Sequence, residues 1–216
     1  VFIELVEVLR CVGDHAAIGL VAQIDRLQDR HIVEGALGCP ACGARYPVTA
    51  AVADFRRQPQ HPIPPRRAPD HRGPTDEDVL RARALLDLGD GGGIVALVGS
   101  AAAFAPRLSR EVDANYLLVN PPENLVRGPW STLLVDAELP VTPGRLRAVL
   151  VGSGGPTIAM DRLVSAVRVG GRLVAPRNVA PPADWRVLAT DDREWVAQRP
   201  VESGAVVVPI ARRPRE

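Results

Sequence analysis

At 216 residues, the chain has room for one medium domain, or for a small one in front of a medium one. Hydrophobic residues make up 46%, which excludes wholesale disorder, and a formal charge of +1 excludes a global electrostatic pull toward nucleic acid or anionic membrane. All 26 basic residues are arginine, so an arginine cluster says less about phosphate binding than it otherwise would.

Residues 1–9 are an apolar lead-in that carries Glu4 and Glu7 where a secretory leader wants basic residues. Segments 19–24 and 31–37 alternate well enough to form a hairpin around 25–30. Then comes Gly38-Cys39-Pro40-Ala41-Cys42-Gly43, the shape of a zinc knuckle, in which Pro and Gly turn two thiols toward one tetrahedral ion. Residues 57–74 hold too many prolines for a helix or a central strand and read as an extended linker. Its arginines and histidines, together with the knuckle region before them, would be the support for an RNA-binding adaptor, and a solvated tether is the simpler reading.

Helix signals resume at Thr75-Asp76-Glu77-Asp78, where a capping residue and three acids suit the positive end of a helix running to about Leu88. Strands are expected at 94–98, 116–120, 132–136, 147–151, 172–175, 187–189 and 206–211, with helices at 101–112 and 157–169. Short β-branched runs alternating with helical stretches predict an α/β fold with a doubly wound, mostly parallel, Rossmann-like sheet. The expected organisation is thus 1–56, a linker at 57–74, and 75–216. The longest uncharged run, 91–106, is 16 residues and too short to cross a bilayer, so the expected location is cytoplasmic, with no membrane partner.

Three cysteines that include a C-x-x-C pair argue for metal rather than a disulfide framework. Cys11 lies 28 residues before Cys39 and opens the other half of a ribbon. The fourth ligand is either Asp14 or His15; imidazole is the commoner partner of thiolates, which favours Cys11, His15, Cys39 and Cys42. A closed four-ligand zinc site is structural and has no open position for catalysis.

Two glycine turns compete for a nucleotide. Gly89–Gly93 looks the part, but it lies 31 residues from Asn120; Gly99, after the 94–98 strand, lies 21 residues from it and fits the spacing of a strand–turn–helix–strand unit. In this register Gly99, Ser100 and Ala101 would approach the cofactor and Asn120 would bond a ribose hydroxyl.

Residues 1–56, through the lead-in to Cys11 and Leu37-Gly38-Cys39-Pro40-Ala41-Cys42-Gly43-Ala44-Arg45-Tyr46-Pro47-Val48, resemble the zinc-ribbon family that includes the activator subunit of tRNA and protein methyltransferases. Residues 75–216 resemble class I S-adenosylmethionine (SAM)-dependent methyltransferases at Val135-Asp136-Ala137-Glu138-Leu139-Pro140 and at Arg168-Val169-Gly170-Gly171-Arg172. The resemblance implies that Asp136, with Ala137 beside it, meets the adenine amino group and that Gly152 and Ser153 border the transferred methyl. It also implies docking of a ribbon on a methyltransferase-like body. The chain departs from the family at Leu97, where an acid is usual, and in the alanine-filled loop after Gly99. Asn120-Pro121-Pro122-Glu123 follows the wrong strand for an amino-methylating clamp, and no histidine lies beyond His71 to serve as a base. Two readings stay open: methyl transfer from SAM to RNA, protein or a small metabolite, and a degenerate active site serving as a scaffold for a protein partner or a homodimer.

Overall fold

The computed structural model describes residues 1–57, 73–126, 128–152 and 158–201. Eleven strands form one continuous sheet in the order β1-β2-β3-β4-β7-β6-β5-β8-β9-β11-β10. The first four are an antiparallel meander: β1 (Val21–Gln28), β2 (His31–Gly38), β3 (Arg45–Thr49) and β4 (Val52–Asp54). The hairpin expected around 25–30 closes on two residues, Asp29 and Arg30, both at positive φ (47° and 63°), which is the turn whose twist matches right-handed strands. Alternation inside β3 is clean, with Tyr46 and Val48 buried between exposed neighbours.

Strand β4 then pairs in parallel with β7 (Ser131–Leu134), at Val52–Thr132 through Asp54–Leu134, so the N-terminal meander extends the main sheet. Beyond it lie β6 (Asn115–Val119), β5 (Ile94–Val98), β8 (Leu146–Val151) and β9 (Val167–Pro176), all parallel. The antiparallel pair β11 (Glu194–Gln198) and β10 (Arg186–Thr190) completes the edge. The architecture is therefore α/β with a mostly parallel central sheet. The chain proceeds outward from β5 through β6 to β7, then reverses to β8 on the other side of β5. That reversal opens a crevice at the carboxyl ends of β5 and β8, where ligands of doubly wound sheets bind.

The two faces are covered differently. One carries α1 (Asp76–Leu86) and α2 (Ala105–Glu111), which bury Val79, Leu86 and Leu108 against Leu97 and Leu118. The other packs the 3-10 segment Ile3–Val8, Cys11, Tyr46 and Phe55 together with Leu133, Val149 and Leu163 of α3 (Met160–Ala166) in a single apolar cluster. Helix α1 begins as its sequence predicts. Thr75 accepts from the Asp78 amide, and the Asp78 carboxylate accepts from the Thr75 amide.

Several elements differ from expectation, among them β3 and β4, for which no strand was expected. The helix expected at 101–112 is split into a 3-10 stretch, Gly99–Phe104, and α2; Gly99 enters at φ +63° and Pro106 fixes the first turn of α2. The helix expected at 157–169 yields after Ala166, because Val167-Arg168-Val169 prefers the extended start of β9. The strand β11 carries the buried Trp195 and had no counterpart in the pattern; the strand expected at 206–211 lies outside the described residues. Among the described residues no helix is long and apolar enough to cross a membrane.

Candidate functional sites

Four donor atoms, from Cys11, His15, Cys39 and Cys42, lie within 4.8 Å of one another. The loop between β2 and β3 and the loop at 12–17, ahead of β1, make this happen locally. The Cys39 amide donates to the Ala44 carbonyl (2.8 Å) and the Gly43 amide to the Cys39 carbonyl (3.0 Å), with Gly43 at φ +70°. This curls both knuckle thiols inward. On the other side, the Cys11 amide donates to Ile18 (2.9 Å), folding 12–17 into a loop that returns His15 to the same place. Asp14 is exposed and lies outside the group.

The spacing suits zinc. Bonds of about 2.3 Å to sulfur and about 2.0 Å to nitrogen make tetrahedral edges of about 3.8 Å between sulfurs and about 3.5 Å between sulfur and nitrogen. Cys11 Sγ lies 3.7 Å from Cys42 Sγ, and Cys39 Sγ lies 3.4 Å from His15 Nε2. His15 Nδ1 is 2.6 Å from the Ala16 carbonyl, which assigns the ring proton to Nδ1 and leaves Nε2 a lone pair for the ion. The backbone amides of Cys42 and Ala41 aim at the Cys39 sulfur and draw its acidity to a pKa of about 6, so the thiolate form is favoured near neutrality. Gly13 leaves room here: a Cβ would sit 3.2 Å from the His15 ring and 3.3 Å from Cys11 Sγ, so either side chain would have to shift by a few tenths of an ångström.

Sequence reading gave Tyr46 no role, although it stands inside the quoted motif. Its hydroxyl is 3.0 Å from Cys11 Sγ and accepts from the Val12 amide at 3.2 Å, while its ring stacks on Phe55 with centroids 4.4 Å apart. Burial pushes the phenol up to about 12, so the hydroxyl keeps its proton.

The second site is a cleft of about 1130 Å³ at the β5–β8 crevice. Ser100, Ala101, Leu150 and Gly152 form its floor, Ala82 and Leu85 of α1 one wall, and Phe104, Pro122 and Leu125 the other. Gly152 donates to the Val98 carbonyl at 3.0 Å and presses so close to the 3-10 stretch that a Cβ would lie 2.2 Å from Ser100 Oγ and 2.4 Å from the Ala101 amide. A Cβ on Gly99, by contrast, would meet nothing within 4 Å, so its backbone has an open side. The rim charges are engaged with each other. Arg81 pairs with Asp191 and Glu194, Arg107 with Asp76, and Arg193 approaches Asp78 at 3.9 Å. Among the described residues, neither histidine nor cysteine lines the cleft.

Of the residues assigned to cofactor binding, the cleft brings together Ser100, Ala101 and Gly152, with Gly99 directly before them. Asn120 and Asp136 do not line it. Asn120 sits at φ +48°, and its side-chain amide is used at both ends on one residue: Nδ2 donates to the Val135 carbonyl (3.0 Å) and Oδ1 accepts from the Val135 amide (2.9 Å). It acts as a spare rung between the ends of β6 and β7. The Asp136 carboxylate accepts the Arg57 amide at 2.9 Å, where the N-terminal meander leaves the sheet. The Ala137 carbonyl accepts from the Ala159 amide at 3.3 Å, and Ser153 lies outside the described residues.

No protein-family model and no curated protein matches the sequence. Among solved structures, the chain is similar to a candidate S-adenosyl-L-methionine-dependent methyltransferase of Methanococcus maripaludis, with a TM-score of 0.46 and 8% identity over 59% of this chain and 86% of that one. It is also similar to the [4+2]-cyclase SpnF, with a TM-score of 0.46 and 11% identity over 61% of this chain and 85% of that one. A third likeness is to a chain from the complex between the Haloferax volcanii Trm112 methyltransferase activator and a candidate methyltransferase, with a TM-score of 0.42 and 12% identity over 58% of this chain and 90% of that one. Likenesses of this size do not fix an activity.

Proposed function

We propose that the chain is a methyltransferase-like protein in which a zinc-ribbon-like element, 1–56, is joined through 57–74 to a methyltransferase-like body, 75–216. In this reading Cys11, His15, Cys39 and Cys42 hold a structural zinc, and the β5–β8 cleft takes SAM. The observation that carries it is the largely apolar cleft at the switch point of the sheet, which Ser100, Ala101 and Gly152 line directly after β5 and β8. When bound, SAM would supply an electrophilic methyl group. The chain's own residues would contribute shape and exclusion of water around Ala101, Phe104 and Leu150, with transfer depending on positioning of an already activated nucleophile. Calorimetry of the zinc-loaded chain tests this: SAM should bind with Kd of about 1–100 μM, and no heat at about 1 mM ligand would overturn it.

A second reading, a degenerate site on a scaffold that binds a protein partner or another copy, is favoured by one observation. The two polar side chains expected from the sequence to recognise a nucleoside, Asn120 and Asp136, both bond protein backbone and do not line the cleft. A cofactor that must compete for them gains little from either.

A further inference from the structure

We propose that Tyr46 is the positioning residue of the metal site: its hydroxyl donates to the Cys11 sulfur and holds that thiolate as a zinc ligand. This rests on the zinc reading above. Three thiolates and a neutral imidazole around a divalent ion leave one net negative charge. Cys11 and Cys39 are only 2% and 3% exposed, so water is a poor source of donors for it. The protein supplies them instead. Cys39 receives the amides of Cys42 and Ala41, and Cys11 receives the Gly13 amide at 3.2 Å and the Tyr46 hydroxyl at 3.0 Å.

The direction of the Tyr46 bond follows from its surroundings. The Val12 amide already donates to the phenol oxygen, so the hydroxyl hydrogen is left to point at Cys11 Sγ, which as a thiolate can only accept. Aim is fixed by the ring. Tyr46 pairs with Leu37 across β2 and β3, and its face lies on Phe55 at an interplanar angle of 27°. Phe55 is anchored in turn by its own amide on the Leu134 carbonyl at 2.8 Å. The donor that finishes the metal site is thus held by the residue that directly follows β4, the strand that joins the meander to the main sheet.

Tyr46→Phe in the full chain removes the hydroxyl and keeps the ring. Two readouts decide: zinc affinity by competition with a chromogenic chelator, and the thiolate-to-metal charge-transfer band of the cobalt(II)-loaded protein. The wild type should show the intense band of a three-thiolate tetrahedral site. The variant should hold zinc about 10–100-fold less tightly, and its band should move to lower energy because the Cys11 sulfur has lost a hydrogen bond. An unshifted band, even with weaker zinc binding, would mean that Tyr46 acts through packing alone and would overturn the inference. So would unchanged affinity. A wild type lacking the thiolate band would overturn the zinc reading itself, and this inference with it.

Discussion

The thiol–imidazole end of the molecule and its cleft end are built on opposite principles. At the first, polar groups turn away from ordinary secondary structure and toward a common point: two knuckle amides, a tyrosine hydroxyl, three sulfurs and an imidazole converge. At the second, groups that could face a ligand turn back to the protein. Asn120 completes the Val135 backbone, Asp136 accepts from Arg57, and the rim arginines pair with rim acids. Convergent donors are the mark of a site shaped around an occupant, because leaving them so arranged without one costs desolvation with no return. Satisfied donors around an apolar hollow specify much less.

The contrast is broken or sharpened most by removing the metal site. Cys39→Ser, or chelation of the zinc-loaded chain, should produce the largest change, since an ion bound only by the folded state stabilises it by about 4 kcal/mol at a thousandfold excess over Kd. Because the meander and β7 share a ladder and an apolar cluster, the loss should appear in the global unfolding transition. A midpoint indifferent to chelator would remove the metal from the argument.

Sequence alone goes far at the clasp and at the sheet centre, and less far at the cleft. The strand at 94–98 is legible to the residue, because a continuous apolar run buried on both faces leaves no competing period. C-x-x-C-G is legible because few chemistries want that spacing. The competing glycine turns are separable by distance, and the structure does place a positive-φ glycine at the end of β5. By contrast, β11 begins within Asp191-Asp192-Arg193-Glu194 and reads as loop until Trp195 is seen buried against β9. Asn120 shows the limit most clearly. An asparagine that bonds a ribose and one that mends a strand end are the same letter at the same spacing; only the direction of the amide separates them.

That difference is measurable. Asn120→Ala should cost about 1–3 kcal/mol of stability in denaturant unfolding, since the half-buried Val135 amide and carbonyl lose their partners and alanine must hold φ near +48°. A ribose-binding asparagine behaves otherwise: stability stays and ligand affinity falls. The first outcome strengthens the contrast between clasp and cleft; the second restores Asn120 to the cleft.

The smallest effect concerns the cleft wall. Thr75→Ala should weaken α1 by about 1 kcal/mol through loss of the reciprocal cap with Asp78. It should leave zinc affinity unchanged, because α1 packs on the face opposite the clasp. The cap also gives a pH signature. The Thr75 hydroxyl, followed by its amide, holds the Asp78 carboxyl below the usual aspartate range. A depressed folded-state value means that this contribution is complete above the unfolded value of about 4 and fades as pH falls through the lower folded one. The stability gap between wild type and Thr75→Ala should therefore be constant from neutrality to about pH 5 and narrow below about pH 4, leaving the share carried by the Asp78 amide's bond to the Thr75 hydroxyl. Chemical denaturation across that range reads it directly. A gap undiminished in acid would show that the cap rests on the Asp78 amide's bond to the Thr75 hydroxyl rather than on the Asp78 carboxylate, and no gap at any pH would show that α1 is held by its packing on Leu97 and Leu118.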